Sequence, residues 1–161
     1  MLHKPELKDD TLITCLQAEF GLSVVKIEYL PLGADQNTAV YQVIGNNGSS
    51  YFLKLRGGGF DDASVTVPKY LFDHGFRQII PPLTTTTGHL WADLASNQVI
   101  LYPYVEGQHA FERKLSHLQW IEFGTTIKQL HTTHIPPMIT DSIPKEDFSP
   151  HWRDKVKMVL K

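Results

Sequence analysis

The chain has 161 residues, 42% of them hydrophobic and 11% aromatic, enough for one domain with a core and too many for a disordered segment. Fifteen Lys and Arg against 17 Asp and Glu leave a net charge of −2 without a basic block, which argues against a nucleic-acid partner. No run approaches the ~18 apolar residues of a membrane span, MLHKPELKDD lacks a signal-peptide apolar region, and a single Cys15 excludes a disulfide framework and suits a reducing cytoplasm.

The first 21 residues read as an amphipathic helix. Asp9, Asp10 or Thr11 is placed to cap it, Leu12, Cys15, Leu16 and Phe20 share a face, and Gly21 closes it. Cys15 on that face reads as an inert core thiol. Three strand-like segments follow: KIEYLPL (26–32), AVYQVIG (39–45) and SYFLKLR (50–56). In the last, Tyr51, Leu53 and Leu55 alternate with Phe52, Lys54 and Arg56. Gly45-Asn46-Asn47-Gly48 predicts a hairpin turn, because Asn and Gly tolerate positive φ.

After Gly57-Gly58-Gly59 a helix is expected from about Asp61 to His74, closed by Gly75 and kinked, split or delayed by Pro68. QIIPPL (78–83) reads as a short strand or an extended connector, LWADL (90–94) as a strand, and QVILYPYV (98–105) as a buried strand stopped by Pro103. Ser116 caps a helix in which Leu118, Ile121, Phe123 or Gly124, Ile127, Leu130 and His131 keep helical spacing, and Pro136-Pro137 ends it. HWRDKVKMVLK (151–161) begins another helix. Strands with one helix among them, followed by helices, predict an α+β fold.

Lys54 lies mid-strand between large apolar neighbours. Such a lysine either points to solvent or grips nucleotide phosphates from a strand. Upstream, Gly33-Ala34-Asp35-Gln36-Asn37-Thr38 is an ordinary polar hairpin loop or one whose backbone N–H groups approach phosphate. The stretch LGADQNTAVYQV resembles the G-x-x-x-N-x-x-x-Y-x-V nucleotide loop of the aminoglycoside phosphotransferase family; SYFLKLR resembles its lysine strand and ILYPYVEG its interlobe hinge. Together with SPHWRDKV these segments look closest to the spectinomycin phosphotransferases, from about Leu22 onward.

The resemblance implies a protein-kinase-like N-terminal lobe, an antiparallel five-stranded sheet with one main helix, over residues 1–102. It implies a hinge at 103–107 and the first helices of an incomplete C-terminal lobe at 108–161. It also implies that Lys54 binds ATP phosphates and that Gly33, Ala34, Asp35, Asn37 and Thr38 cover the triphosphate, with Asn37 shaping the turn. Pro103 and Val105 would meet the adenine edge, Pro103 as an acceptor only. Tyr102 would sit at the back of the adenine pocket, where core packing explains it equally well.

Two departures stand out. The helix after the lysine strand has no Glu before Gly75, so Asp62 becomes the expected partner of Lys54; Asp61 and Asp62 also suit a helix cap. No catalytic Asp with an Asn four to five residues on follows, and no second metal-binding Asp. His151-Trp152-Arg153-Asp154 has the wrong spacing for that role and reads as a solvated helix face.

The expectation is therefore the nucleotide-binding part of an ATP-dependent phosphotransferase acting on an aminoglycoside or aminocyclitol hydroxyl, inactive alone, with Mg²⁺ held by residues outside these 161 and self-association through uncovered apolar surface. A metabolite kinase of the same fold, for choline, homoserine or a sugar, and a non-catalytic nucleotide- or partner-binding module are the alternatives. His131 and His134 have ligand-like spacing but no second pair, and a helix-dipole role fits His131 better. Glu106, His109 and Glu112 past the hinge are expected at the surface, and Trp91, Trp120 and Trp152 in packing.

Overall fold

A computed structural model describes residues 4–32, 35, 37–108, 112–141, 143, 145 and 150–159. Gly33, Ala34, His109 and the side chains of Trp152 and Asp154, for which the sequence suggests roles, lie outside the described residues. In chain order the elements are α1 (Asp9–Phe20), β1 (Val24–Leu30), β2 (Thr38–Gly45), β3 (Ser50–Gly57), α2 (Ala63–Asp73), β4 (Ala92–Leu94), β5 (Asn97–Pro103), α3 (His117–Thr132), α4 (Pro137–Thr140) and α5 (His151–Val159). The strands form one five-stranded antiparallel sheet in the order β1-β2-β3-β5-β4.

Alternation in β2 and β3 sorts side chains onto the two faces of this sheet. Tyr41, Val43, Leu53, Leu55, Val99 and Leu101 form the core on one face with Leu12, Cys15 and Leu16 of α1. Gly21 closes α1 in the left-handed region, φ 63°, and its N–H reaches the Leu16 carbonyl. The expected acidic cap of α1 is corrected: Lys8 is the N-cap, without a side-chain bond, and Asp9 and Asp10 fall inside the first turn. There their charge still complements the helix dipole. The β2–β3 turn forms where the Asn-Gly pattern predicts it, with Gly48 at φ 76° and the Asn47 side chain accepting from the Ser49 N–H at 3.0 Å.

α2 runs unsplit through Pro68 but starts at Ala63, whose N–H donates to the Asp61 carboxylate at 3.0 Å. Residues 78–83 form no strand; their one ladder-like bond runs from the Leu83 N–H to the Leu101 carbonyl at 2.7 Å. The two consecutive prolines, Pro81 and Pro82, offer no N–H groups for a ladder. α3 has the expected cap: Ser116 and Gln119 form a reciprocal capping box. Its apolar stripe, however, is not buried. Leu118 is 76% exposed, Phe123 54% and Trp120 56%, so the packing role expected of Trp120 is corrected. Trp120 meets the Phe123 ring, edge-on at 6.1 Å, whereas Trp91 is half-buried against Phe60.

Candidate functional site

Three stretches that are distant in sequence converge around Lys54. Its cross-strand partners are Val40 in β2 and Ile100 in β5, both buried, so its aliphatic stem rises between apolar neighbours. Lys54 lines a cavity of about 430 Å³. One wall comes from Leu30 and Leu32, the floor from Phe52 and Lys54 on β3, another wall from Ile80, and the far edge from the run Tyr102 to Val105. Phe52 and Tyr102 pair across β3 and β5, with ring centroids 6.5 Å apart in an edge-to-face arrangement. An apolar slot ending in a cation suits a flat heteroaromatic base joined to an anionic tail.

The edge at the end of β5 is built from backbone. The Tyr104 N–H donates to the Ser50 carbonyl at 3.2 Å. Successive residues of an extended chain turn their polar groups to opposite sides, so Pro103, the last residue of β5, presents its carbonyl away from β3, and Val105 follows just beyond the strand end. Pro103 has only a carbonyl to offer, while Val105 has both an N–H and a carbonyl. That is an acceptor followed by a donor, the complement of an adenine edge. Burial pushes the Tyr102 phenol up, and the nearby Arg56 works weakly against it.

The turn before β2 is organised by Asp35. Its carboxylate accepts from the Asn37 N–H at 2.9 Å and from the Thr38 hydroxyl at 2.9 Å, while its carbonyl accepts from the Thr38 N–H at 3.2 Å. These bonds hold its carboxyl below the usual range, the Asn37 N–H most of all, with Arg56 and Lys54 adding a smaller pull. Asn37 is tied into the sheet as well, its carbonyl accepting from the Gly57 N–H at 2.8 Å.

Of the residues singled out in the sequence, Lys54, Tyr102, Pro103 and Val105 line one cavity. Asp35, Asn37 and Thr38 form the adjoining turn and do not line it. The Asp62–Lys54 pair is not formed: among the described residues no carboxylate lies within ion-pair distance of Lys54. Asp62 is the N-cap of α2, and its carbonyl accepts from the Val65 and Thr66 N–H groups. Phe52 shared a face with Lys54 by simple two-residue spacing and was readable from that. Leu30, Leu32 and Ile80 carried no such signal, because only the tertiary fold brings them to the slot. Among the described residues no three His, Cys, Asp or Glu side chains cluster closely enough to hold a metal ion.

No family model and no curated protein matches the sequence. Among solved structures, spectinomycin phosphotransferase APH(9)-Ia in complex with ADP and spectinomycin aligns with a TM-score of 0.87 and 29% identity over 97% of this chain. The fold is that of a protein-kinase-like N-terminal lobe. The AMP-bound complex of the same phosphotransferase aligns at 0.81 and 27% over 96% of this chain. The resemblance to the spectinomycin phosphotransferases is thus supported at the level of the fold. This chain spans about half the length of these phosphotransferases, 47% and 46%, corresponding to their N-terminal part.

Proposed function

We propose that this chain is the nucleotide-binding part of an ATP-dependent phosphotransferase whose acceptor is a hydroxyl of an aminoglycoside or aminocyclitol. The observation that carries the reading is the convergence of Lys54, Phe52, Tyr102 and the acceptor–donor edge of Pro103 and Val105 on one apolar slot, in a fold matching a phosphotransferase that binds ADP and spectinomycin. Adenine lies between Leu30 and Ile80, its amino group donates to the Pro103 carbonyl, and its ring nitrogen accepts from the Val105 N–H. The Lys54 ammonium neutralises phosphate charge, and the Asp35–Thr38 turn lies over the triphosphate. The work of these residues is positioning and charge stabilisation, which is most of what phosphoryl transfer asks of a protein. Mg²⁺ would supply further neutralisation of the phosphates; the described residues offer no cluster to hold it.

Residues 1–102 act as the nucleotide lobe, 103–107 as the hinge, and 108–161 as the start of a helical lobe. The test is calorimetric titration of the chain with ATP and Mg²⁺: saturable binding is expected, weakened ten- to a hundredfold in Lys54→Ala, on the order of 1.5–3 kcal/mol for a charge-assisted contact. Binding that is indifferent to Lys54 would refute the assignment.

A second reading, a non-catalytic module that binds a partner or a second copy of itself, is favoured by the exposed stripe of Leu118, Ile121 and Phe123 on α3. It predicts concentration-dependent association in sedimentation with no response to ATP, whereas the phosphotransferase reading requires that response.

A further inference from the structure

Lys54 is not the only cation on its face of β3. Arg56 stands two residues on, so its side chain leaves the sheet on the same side. It is half-buried, and among the described residues no carboxylate lies within ion-pair distance of its guanidinium. Its neighbours tie it to the turn at the start of β2: Thr38 is its cross-strand partner, and the next residue, Gly57, donates to the Asn37 carbonyl. Two residues of strand advance ~6.6 Å. Phe52, Lys54 and Arg56 therefore mark three successive stations along one line, from the aromatic slot to the loop.

We propose that Arg56 is a second phosphate-binding residue, its guanidinium holding the terminal phosphate of a bound nucleoside triphosphate while Lys54 holds the phosphates nearer the ribose. This rests on the nucleotide reading above. A guanidinium suits the position, because its planar fork donates two parallel bonds to phosphate oxygens. Its field reaches both ends of the site, lowering the Asp35 carboxyl and opposing the rise of the Tyr102 phenol. With no carboxylate paired to it, its charge is available to an anion. Paired with Lys54, it sets two positive charges along a polyphosphate, which favours ATP over shorter nucleotides.

The experiment compares ATP, ADP and AMP affinities, in Mg²⁺ buffer, for the wild-type chain, Arg56→Gln, Arg56→Lys and Asp35→Asn. Arg56→Gln is expected to weaken ATP binding about tenfold or more while leaving ADP and AMP within about twofold; Arg56→Lys should recover part of the loss. Equal loss for all three nucleotides, matched by Asp35→Asn, would mean that Arg56 serves only the turn, and would overturn the proposal. Unchanged affinities in Arg56→Gln would overturn it too. Should circular dichroism find Arg56→Gln unfolded, Arg56→Lys decides: an ATP-to-ADP affinity ratio equal to wild type refutes the contact. A wild-type chain that binds none of the three overturns the nucleotide reading itself, a result distinct from the others.

Discussion

Removing one oxygen atom from Tyr41 should make the protein more stable. Tyr41 is fully buried, and its hydroxyl has no hydrogen-bond partner among the described residues. The ring itself is well used: it packs in the core beneath α1 and meets Tyr29 edge-on at 5.5 Å. Tyr41→Phe keeps that packing and deletes the stranded polar group. A buried unsatisfied hydroxyl costs about 1–3 kcal/mol; at the low end of that range, the melting temperature of a chain this long rises by about 2–4 °C.

A second readout comes from pH. Burial, followed by the Asp9 charge and Tyr29, pushes the Tyr41 phenol from 10 up to about 12. The folded state then holds this proton more tightly than the unfolded state does. Its contribution is fully present below pH 10 and is lost as pH rises toward 12, with a slope near 1.4 kcal/mol per unit. Phenylalanine removes that slope. Thermal melts at neutral pH and urea titrations between about pH 9 and 11 test both arms. A less stable Tyr41→Phe, or one with the alkaline slope intact, would refute the reasoning. Nucleotide affinity should not change, because Tyr41 and Leu53 pair on the opposite face from Val40 and Lys54.

Two further predictions concern the backbone. Ala95 sits at φ 55° in the two-residue turn between β4 and β5, so Ala95→Gly should stabilise the hairpin by about 1 kcal/mol, measured as a raised melting temperature. Ser116→Ala should cost α3 about 1 kcal/mol by opening its capping box. Because α3 has no buried residue to hold it otherwise, hydrogen exchange of its amides should speed up about fivefold.

Much of the fold was legible because its signals are local. Alternation in SYFLKLR predicts the faces of β3, Asn47-Gly48 predicts the turn before it, and Ser116 predicts the start of α3; each depends on a few neighbouring residues. The misreadings have one physical cause. Whether Asp62 reaches Lys54, or whether Trp120 and Leu118 are covered, depends on where an element sits relative to distant ones, and helical spacing is silent on that. The cap of α1 slipped by one residue for a smaller reason: Asp9 and Asp10 suit the first helical turn as well as the cap.

The candidate site divides along the same line. Sequence alone determined the chemistry available: a lysine and an arginine on one strand face, an Asn- and Asp-containing turn before it, and a proline that removes one donor from the chain after β5. These follow from residue identity and a two-residue period. Only the tertiary structure decided that these pieces meet. Antiparallel pairing sets Phe52 opposite Tyr102 and Lys54 opposite Ile100, and the Tyr104–Ser50 bond leaves the Pro103 carbonyl facing away from β3. Leu30 and Ile80 then close an apolar slot that no local pattern announced. Strand register acts across the sheet, between residues about fifty apart in the chain, so it is settled by cross-strand hydrogen bonds and core packing rather than by any one segment.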